Sequence, residues 1–234
     1  MHLSAMANGR HFFECYAKYV VAEKVRVVDI GAQDVNGSLK QVCPPHFEYV
    51  GVDFVEGKGV DIVLEDPYSI PLDTNSADIV LSSSCFEHSE MFWLTFLEIM
   101  RILKPNGLFY LNVPQNGMFH RYPVDCWRFY PDSGRALVSW AKRNGMNAML
   151  LESYTSAQMG PFNADGQWND YVAVFLKEEN HATQFPHRIV DTKKDLYNGI
   201  RSGRDGFINE SQSPEDKSKL YAIHGIAGNL IKLS

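Results

Sequence analysis

The stretch from Val25 to Asp53 restricts the fold of this chain more than any other. It opens Val25-Arg26-Val27-Val28-Asp29-Ile30-Gly31-Ala32, a short β-branched run that closes on an acid and a glycine. Runs of this kind suit a strand buried on both faces, as in a parallel sheet. Gln33-Asp34-Val35-Asn36-Gly37-Ser38 then supply turn formers. A second run, Phe47-Glu48-Tyr49-Val50-Gly51-Val52, ends at Asp53, 22 positions after Gly31. An acid ~20 residues beyond a glycine turn is the spacing by which doubly wound sheets hold a nucleotide ribose. The glycine lets a ligand approach the backbone. The carboxylate accepts charge-assisted bonds from both hydroxyls of one ribose. This geometry serves any adenosine-type cofactor and does not by itself name one.

With 234 residues, the chain has room for one α/β domain and an appendage. Its net charge of −6 argues against a broad nucleic-acid surface. No apolar run approaches the ~18 residues of a membrane span, and Met1-His2-Leu3-Ser4-Ala5 lacks the pattern of a secretory signal. Cys15, Cys43, Cys85 and Cys126 are scattered, with no Cys-x-x-Cys pair. They read as reduced thiols, and the expected location is cytoplasmic. No His-x-x-x-His spacing occurs either, so no metal is expected.

Taken in order, residues 9–22 read as a helix, on Phe12, Tyr16, Tyr19 and Val20. A short helix follows from Gly37 to about Val42, stopped by Pro44-Pro45. Further strands are expected at Asp61–Leu64, Ala77–Ser83, Leu108–Val113, Ala148–Tyr154 and Tyr171–Leu176. Ser89 is placed to cap a helix with Phe92, Phe96, Ile99 and Leu103 as its buried stripe, ended by Lys104-Pro105-Asn106-Gly107. Pro131-Asp132-Ser133 start another helix, which Asn144-Gly145 end. Two long loops stand out, Pro114–Tyr130 and Thr155–Asp170. Both are dense in aromatics, so they pack over something rather than remain disordered. After Lys177, Ser213-Pro214-Glu215-Asp216 form a good helix start. Leu220, Ile223, Ile226 and Leu230 then make an apolar face with no assigned partner.

The series Asp29-Ile30-Gly31-Ala32, Gly51-Val52-Asp53, Asp66-Pro67 with Ile70-Pro71-Leu72, Ala77–Ser83, Phe86-Glu87-His88 and Leu103–Leu108 resembles the class I S-adenosylmethionine-dependent methyltransferases, of the type 11-like group. The resemblance covers roughly residues 10–176. One departure lies at the first turn, where the family usually reads Asp-x-Gly-x-Gly-x-Gly: Gln33 and Val35 take the second and third glycine places, and Gly37 comes late. The resemblance implies a doubly wound, seven-stranded, mostly parallel sheet with an antiparallel last strand over residues 1–176. Residues 177–234 would be a partly helical extension able to dock or to pair with a second copy. S-adenosylmethionine would be the cofactor. It would be held by Asp29, Gly31, Ala32, Gln33 and Asp34 at the turn and by Asp53 and Phe54 at the second strand tip. Asp66 and Pro67 would lie beside the adenine, and Ser83 and Ser84 at the fourth strand tip.

Methyl transfer from a sulfonium is an in-line displacement, and a hydroxyl nucleophile needs a base in reach. Candidates are His88, His120 and Asp125, with an ion pair from Asp125 to Arg121 or Arg128 as its competing role. Arg121, Tyr122, Trp127, Tyr130 and Trp168 offer faces and polar tips to an acceptor. The His-Arg-Tyr-Pro and Trp-Arg-Phe pieces resemble methyltransferases of surface-glycan synthesis, which implies a small-molecule or glycan substrate. Two other functions stay open: a nucleotide-dependent oxidoreductase, despite the missing Gly-x-Gly-x-x-Gly, and a non-catalytic module that binds an adenosyl cofactor.

Overall fold

The computed structural model describes residues 3–159, 168–211, 223 and 225–228. The chain runs α1 (Leu3–Tyr16), β1 (Arg26–Ile30), β2 (Glu48–Asp53), β3 (Ile62–Val63), β4 (Ala77–Ser83), α2 (Phe92–Ile102) and β5 (Leu103–Pro114). It continues α3 (Ser133–Arg143), β6 (Met149–Ser156), β7 (Asp170–Leu176) and β8 (Leu196–Arg201). One sheet holds all the strands in the order β3-β2-β1-β4-β5-β7-β6-β8. The first five pair in parallel, and β7 runs antiparallel between β5 and β6.

Strand order reverses between β1 and β4, and ligands of open α/β sheets bind at that point, beyond the carboxyl ends of the strands. Pro114 pairs with Asp170, so the antiparallel β7 starts at the same edge where β5 ends. The loops after β5 and before β7 therefore converge there.

Alternation along the central strands divides the core. Phe109, Leu111 and Val113 pack with Phe175, Ala173 and Phe96 on the face covered by α2 and α3. Leu108 and Tyr110 pack with Val172, Val174, Phe12 and Tyr16 on the face covered by α1. Both faces of these strands are apolar, which is why they read as continuous hydrophobic runs.

Several expected elements differ. The opening helix starts earlier and ends at Tyr16, followed by a single 3-10 turn at Ala17–Tyr19. The helix expected from Ser89 starts at Phe92: Ser89 is extended backbone closing the 3-10 turn at Phe86–His88, and Met91 takes the N-cap place. The Glu87 carbonyl holds that turn by accepting the backbone N–H groups of Cys126 (2.7 Å) and Trp127 (3.2 Å).

The sheet has eight strands rather than seven. Its eighth comes from the segment that the sequence set apart as an extension, so residue 176 lies inside the folded unit. Glu152 fastens this segment. Its buried carboxylate accepts bonds from the Tyr16 hydroxyl (2.5 Å) and from the backbone N–H groups of Ile189 and Val190 (2.9 Å each). The helix start at Ser213–Asp216 lies outside the described residues, as do Leu220 and Leu230. Ile223 and Ile226 are helical and exposed. Among the described residues no helix is long and apolar enough to cross a membrane.

Candidate active site

The glycine turn after β1 is built differently from the sequence expectation. Gly31 has φ +84, and a Cβ there would stand 2.6 Å from the Cys85 Cβ. The close neighbour that requires glycine is thus Cys85, two residues beyond the β4 tip. Gln33 and Val35 have no positive φ, so these two places need no glycine; the next left-handed residue is Gly37. Asp34 replaces the missing glycines with a clasp. Its carboxylate accepts the Gly37 N–H (2.7 Å) and the Lys58 ammonium (2.6 Å). These two bonds hold the Asp34 carboxyl below the usual range, Lys58 foremost.

Asp53 lies at the β2 tip and is 7% exposed. Its carboxylate accepts the backbone N–H of Gln33 (3.0 Å) and of Val55 (3.2 Å), tying the strand tip to the turn. A carboxylate has about four acceptor positions, so one per oxygen remains for the two hydroxyls of a ribose. Phe54 beside it is exposed. A cleft of about 600 Å³ opens next to this turn, lined by Leu3, Met6, Asp34, Val35, Gly37 and Lys58 among others. These features fit an adenosyl cofactor.

Asp29 sits behind the turn, buried, with its carboxylate bonded to the Tyr49 hydroxyl at 2.5 Å. Burial pushes its carboxyl up to about 6, against the bond from Tyr49. Asp29 thus supports the cradle rather than facing a ligand. An acid whose folded pKa is raised contributes full stability below its unfolded pKa of about 3.9 and loses it as pH rises through the folded value. Tyr49→Phe is expected to cost about 1–2 kcal/mol above pH 6, where the carboxylate loses its donor, and less near pH 4. Chemical denaturation of both proteins at the two pH values measures the gap.

Asp66 is exposed, and its carboxylate accepts the Tyr68 N–H at 2.9 Å in a turn after Pro67. This is the contact of a turn acid, and it uses one of the two carboxylate oxygens. Ser83 is buried at the β4 tip, where its Oγ accepts from Asn112 (3.4 Å), and Asn112 accepts from Asn8 of α1 (3.0 Å). Ser84 holds φ +53, which turns the chain out of the strand. Ala32 is buried behind the turn.

The first long loop closes over this edge and is knitted by one ion pair. Arg128 donates to both Asp125 oxygens (2.5 and 2.9 Å) and to the Met118 carbonyl (2.9 Å), while Asp125 also accepts the His120 N–H (2.7 Å). Burial works to raise the Asp125 carboxyl, but these bonds win and hold it at about 2. Of the roles weighed for Asp125, its contacts are those of the ion pair with Arg128, and a carboxyl held that low is a weak proton acceptor near neutrality.

His120 and His88 come together, with ring centroids 5.0 Å apart in a T-shaped contact. His88 Nδ1 lies 2.5 Å from the Val124 carbonyl oxygen, and His120 Nδ1 lies 3.0 Å from that of Met118. Each Nδ1 therefore carries the hydrogen, and each Nε2 has a lone pair to offer. Trp168, from the second loop, packs against His120 at 5.1 Å and is itself buried.

Trp127 spends its indole N–H on the Ser89 carbonyl (2.9 Å) and packs with Phe92 and Trp93, so it supports the loop more than it offers a free face. Arg121, Tyr122 and Tyr130 are exposed. Sequence reasoning missed Glu87. Its carboxyl is 1% exposed, burial pushes it up to about 8, and its Oε1 lies 3.7 Å from His88 Nε2. The signal was present in Phe86-Glu87-His88, whose acid adjoins a candidate histidine.

Sheet order, the turn at the switch point and the strand-tip acid together are those of the class I methyltransferase fold. Residues 7–111 match the family model described as a methyltransferase domain. Over that stretch, 105 of the 234 residues, the chain is similar to S-adenosylmethionine-dependent methyltransferases, and S-adenosylmethionine is the cofactor that this similarity points to. No curated protein matches it.

Solved structures share the fold at low identity. The 1,6-didemethyltoxoflavin-N1-methyltransferase of Burkholderia thailandensis, solved with 1,6-didemethyltoxoflavin and S-adenosylhomocysteine, is 16% identical over 75% of this chain and 79% of its own, with a TM-score of 0.54. A chain of the Haloferax volcanii complex containing the Trm112 methyltransferase activator is 18% identical over 75% and 94%, at 0.51. The YcgJ protein of Bacillus subtilis is 16% identical over 76% and 100%, also at 0.51.

Proposed function

We propose that the protein methylates a hydroxyl of a small molecule or sugar, with the His88–His120 pair removing the proton. The observation that carries this reading is the pairing of two imidazoles whose Nδ1 atoms are both engaged with carbonyl oxygens, at the edge where a cofactor would lie. The sulfonium supplies an electrophilic methyl group. The acceptor O–H gives its proton to an imidazole Nε2, the O–CH3 bond forms and the S–CH3 bond breaks. Asp53 would hold the ribose, and the clasp at Asp34 would shape the amino-acid end of the pocket. Exposed Arg121, Tyr122 and Tyr130 would meet an acceptor with hydroxyls and a flat face. The Burkholderia enzyme was solved with a small acceptor, which supports a small molecule by analogy, although that enzyme methylates a nitrogen.

The test is a methyl-transfer screen over sugars, nucleotide sugars and phenolic hydroxyls. With the acceptor found, His120→Ala is expected to lower kcat by ~10²–10⁴-fold, the usual worth of a positioned base. S-adenosylhomocysteine affinity should stay within about twofold, because His120 lies on the acceptor side. An unchanged kcat would remove His120 from the reaction. Cofactor binding without turnover on any acceptor would favour a non-catalytic module.

A further inference from the structure

We propose that Glu87, His88 and His120 form a binding site for a divalent transition-metal ion of the zinc or cobalt kind. One ligating atom from each of the three lies within 4.8 Å of the other two. Two imidazoles and a carboxylate are a donor set for such ions and leave coordination positions open for water or substrate.

Three independent features prepare these donors. Both histidines present Nε2, because the Nδ1 of each is engaged with a backbone carbonyl oxygen, Val124 for His88 and Met118 for His120. That second contact is the one that metal-binding histidines use to set tautomer and ring orientation. Glu87 is buried, and its Oε2 has no hydrogen-bond partner. Buried polar atoms nearly always have a partner; the oxygen nearer His88 is Oε1, so a cation would satisfy Oε2 as well through bidentate binding of the carboxylate. Finally, the His88 Nε2 to Glu87 Oε1 separation is 3.7 Å. Ligands on bonds of ~2.1 Å at tetrahedral angles stand about 3.4 Å apart, so these two need only a small closure. His120 must close more, and it stands on a loop.

Surrounding charge permits the ion. The Arg128 guanidinium lies 3.5 Å from His120 Nδ1, and Asp125 neutralises it through two bonds. The fold also explains why two adjacent residues present both donors. The 3-10 turn at Phe86–His88, held by Cys126 and Trp127, places them under the same loop that brings His120.

Metal binding stands on this geometry alone. Its use in the reaction rests on the methyl-transfer part of the reading under Proposed function and would replace the base role given there to the histidines: an ion at this point would bind the acceptor oxygen and lower the pKa of its hydroxyl, so that the proton leaves to water. The two imidazoles would then hold the ion in place of taking the proton.

The experiment is titration of the metal-free full-length protein with Co2+, followed by its visible absorption, and with Zn2+ by calorimetry. One site per chain is expected, with the d–d bands of a four- or five-coordinate ion and no thiolate charge-transfer band. His120→Ala, on an exposed loop, should weaken binding by at least about 100-fold, and Glu87→Gln should do the same if circular dichroism shows it folded. His46→Ala and His187→Ala should have no effect. Absence of stoichiometric binding, a thiolate band, or binding indifferent to His120→Ala would overturn the site. S-adenosylhomocysteine is titrated into the same samples. Metal binding without cofactor binding would sustain the ion site and sink the methyltransferase reading, and the reverse would do the opposite.

Discussion

Replacing Asp53 with alanine is expected to weaken binding of S-adenosylmethionine and S-adenosylhomocysteine by at least about 100-fold. In the proposed role its carboxylate takes both ribose hydroxyls. Each hydrogen bond to a charged acceptor is worth ~1.5–3 kcal/mol, and losing two costs at least about two decades of affinity. Alanine also releases the N–H groups of Gln33 and Val55, which now tie the strand tip to the turn. The cradle would loosen together with the loss of contact. Asp53→Asn keeps one carbonyl oxygen and should fall between the two. Calorimetry on the three proteins measures this series. A folded Asp53→Ala variant with wild-type affinity would mean that the ribose is held elsewhere.

Removal of Glu152 should have the largest effect on stability. Its carboxylate is fully buried and is the acceptor for three donors, the Tyr16 hydroxyl and two backbone N–H groups of the 3-10 turn before β8. Alanine would leave all three without an acceptor in a dry place. Unsatisfied buried donors cost ~1–3 kcal/mol each, partly relieved by relaxation or an entering water, so about 3–5 kcal/mol is expected in total. For a chain of this size that lowers Tm by roughly 10 °C. Tyr16→Phe removes one of the three donors, keeps the carboxylate and should cost far less. Thermal unfolding followed by circular dichroism decides the matter, and a fall of under 2 °C for Glu152→Ala would refute the tethering role. Such an outcome would also imply that residues 179–201 contribute little to the domain.

Most of the parallel half of the sheet could be read from the chain. β1, β2, β4 and β5 are β-branched or aromatic runs bounded by turn residues, and that information is local. The strand at Leu196–Arg201 was not legible, for an equally local reason. It contains Asn198-Gly199, a pair that reads as a turn. The chain indeed turns left-handed at Asn198, φ +50, and the strand survives as an irregular edge whose register shifts against β6.

At the site, Asp53 and the Gly31 turn were legible because strand, glycine and acid stand in a fixed order. The reason for glycine at 31 was not legible, since the neighbour that excludes a side chain is Cys85, 54 positions away. Asp125 could be read as either a base or an ion-pair partner; geometry chose Arg128.

The sequence alone determined the buried strands of the parallel half, the glycine turn after the first and the acid at the tip of the second; the doubly wound arrangement was what the family resemblance implied. The strands, the turn and the acid follow from short runs whose period and turn chemistry are properties of neighbouring residues. Only the tertiary structure decided that Glu87 and His88 meet His120, that Asp125 belongs to Arg128, and that residues 196–201 complete the sheet. Those contacts depend on the loops that close over the carboxyl edge and on which side chains burial leaves without water. Spacing along the chain carries no record of either.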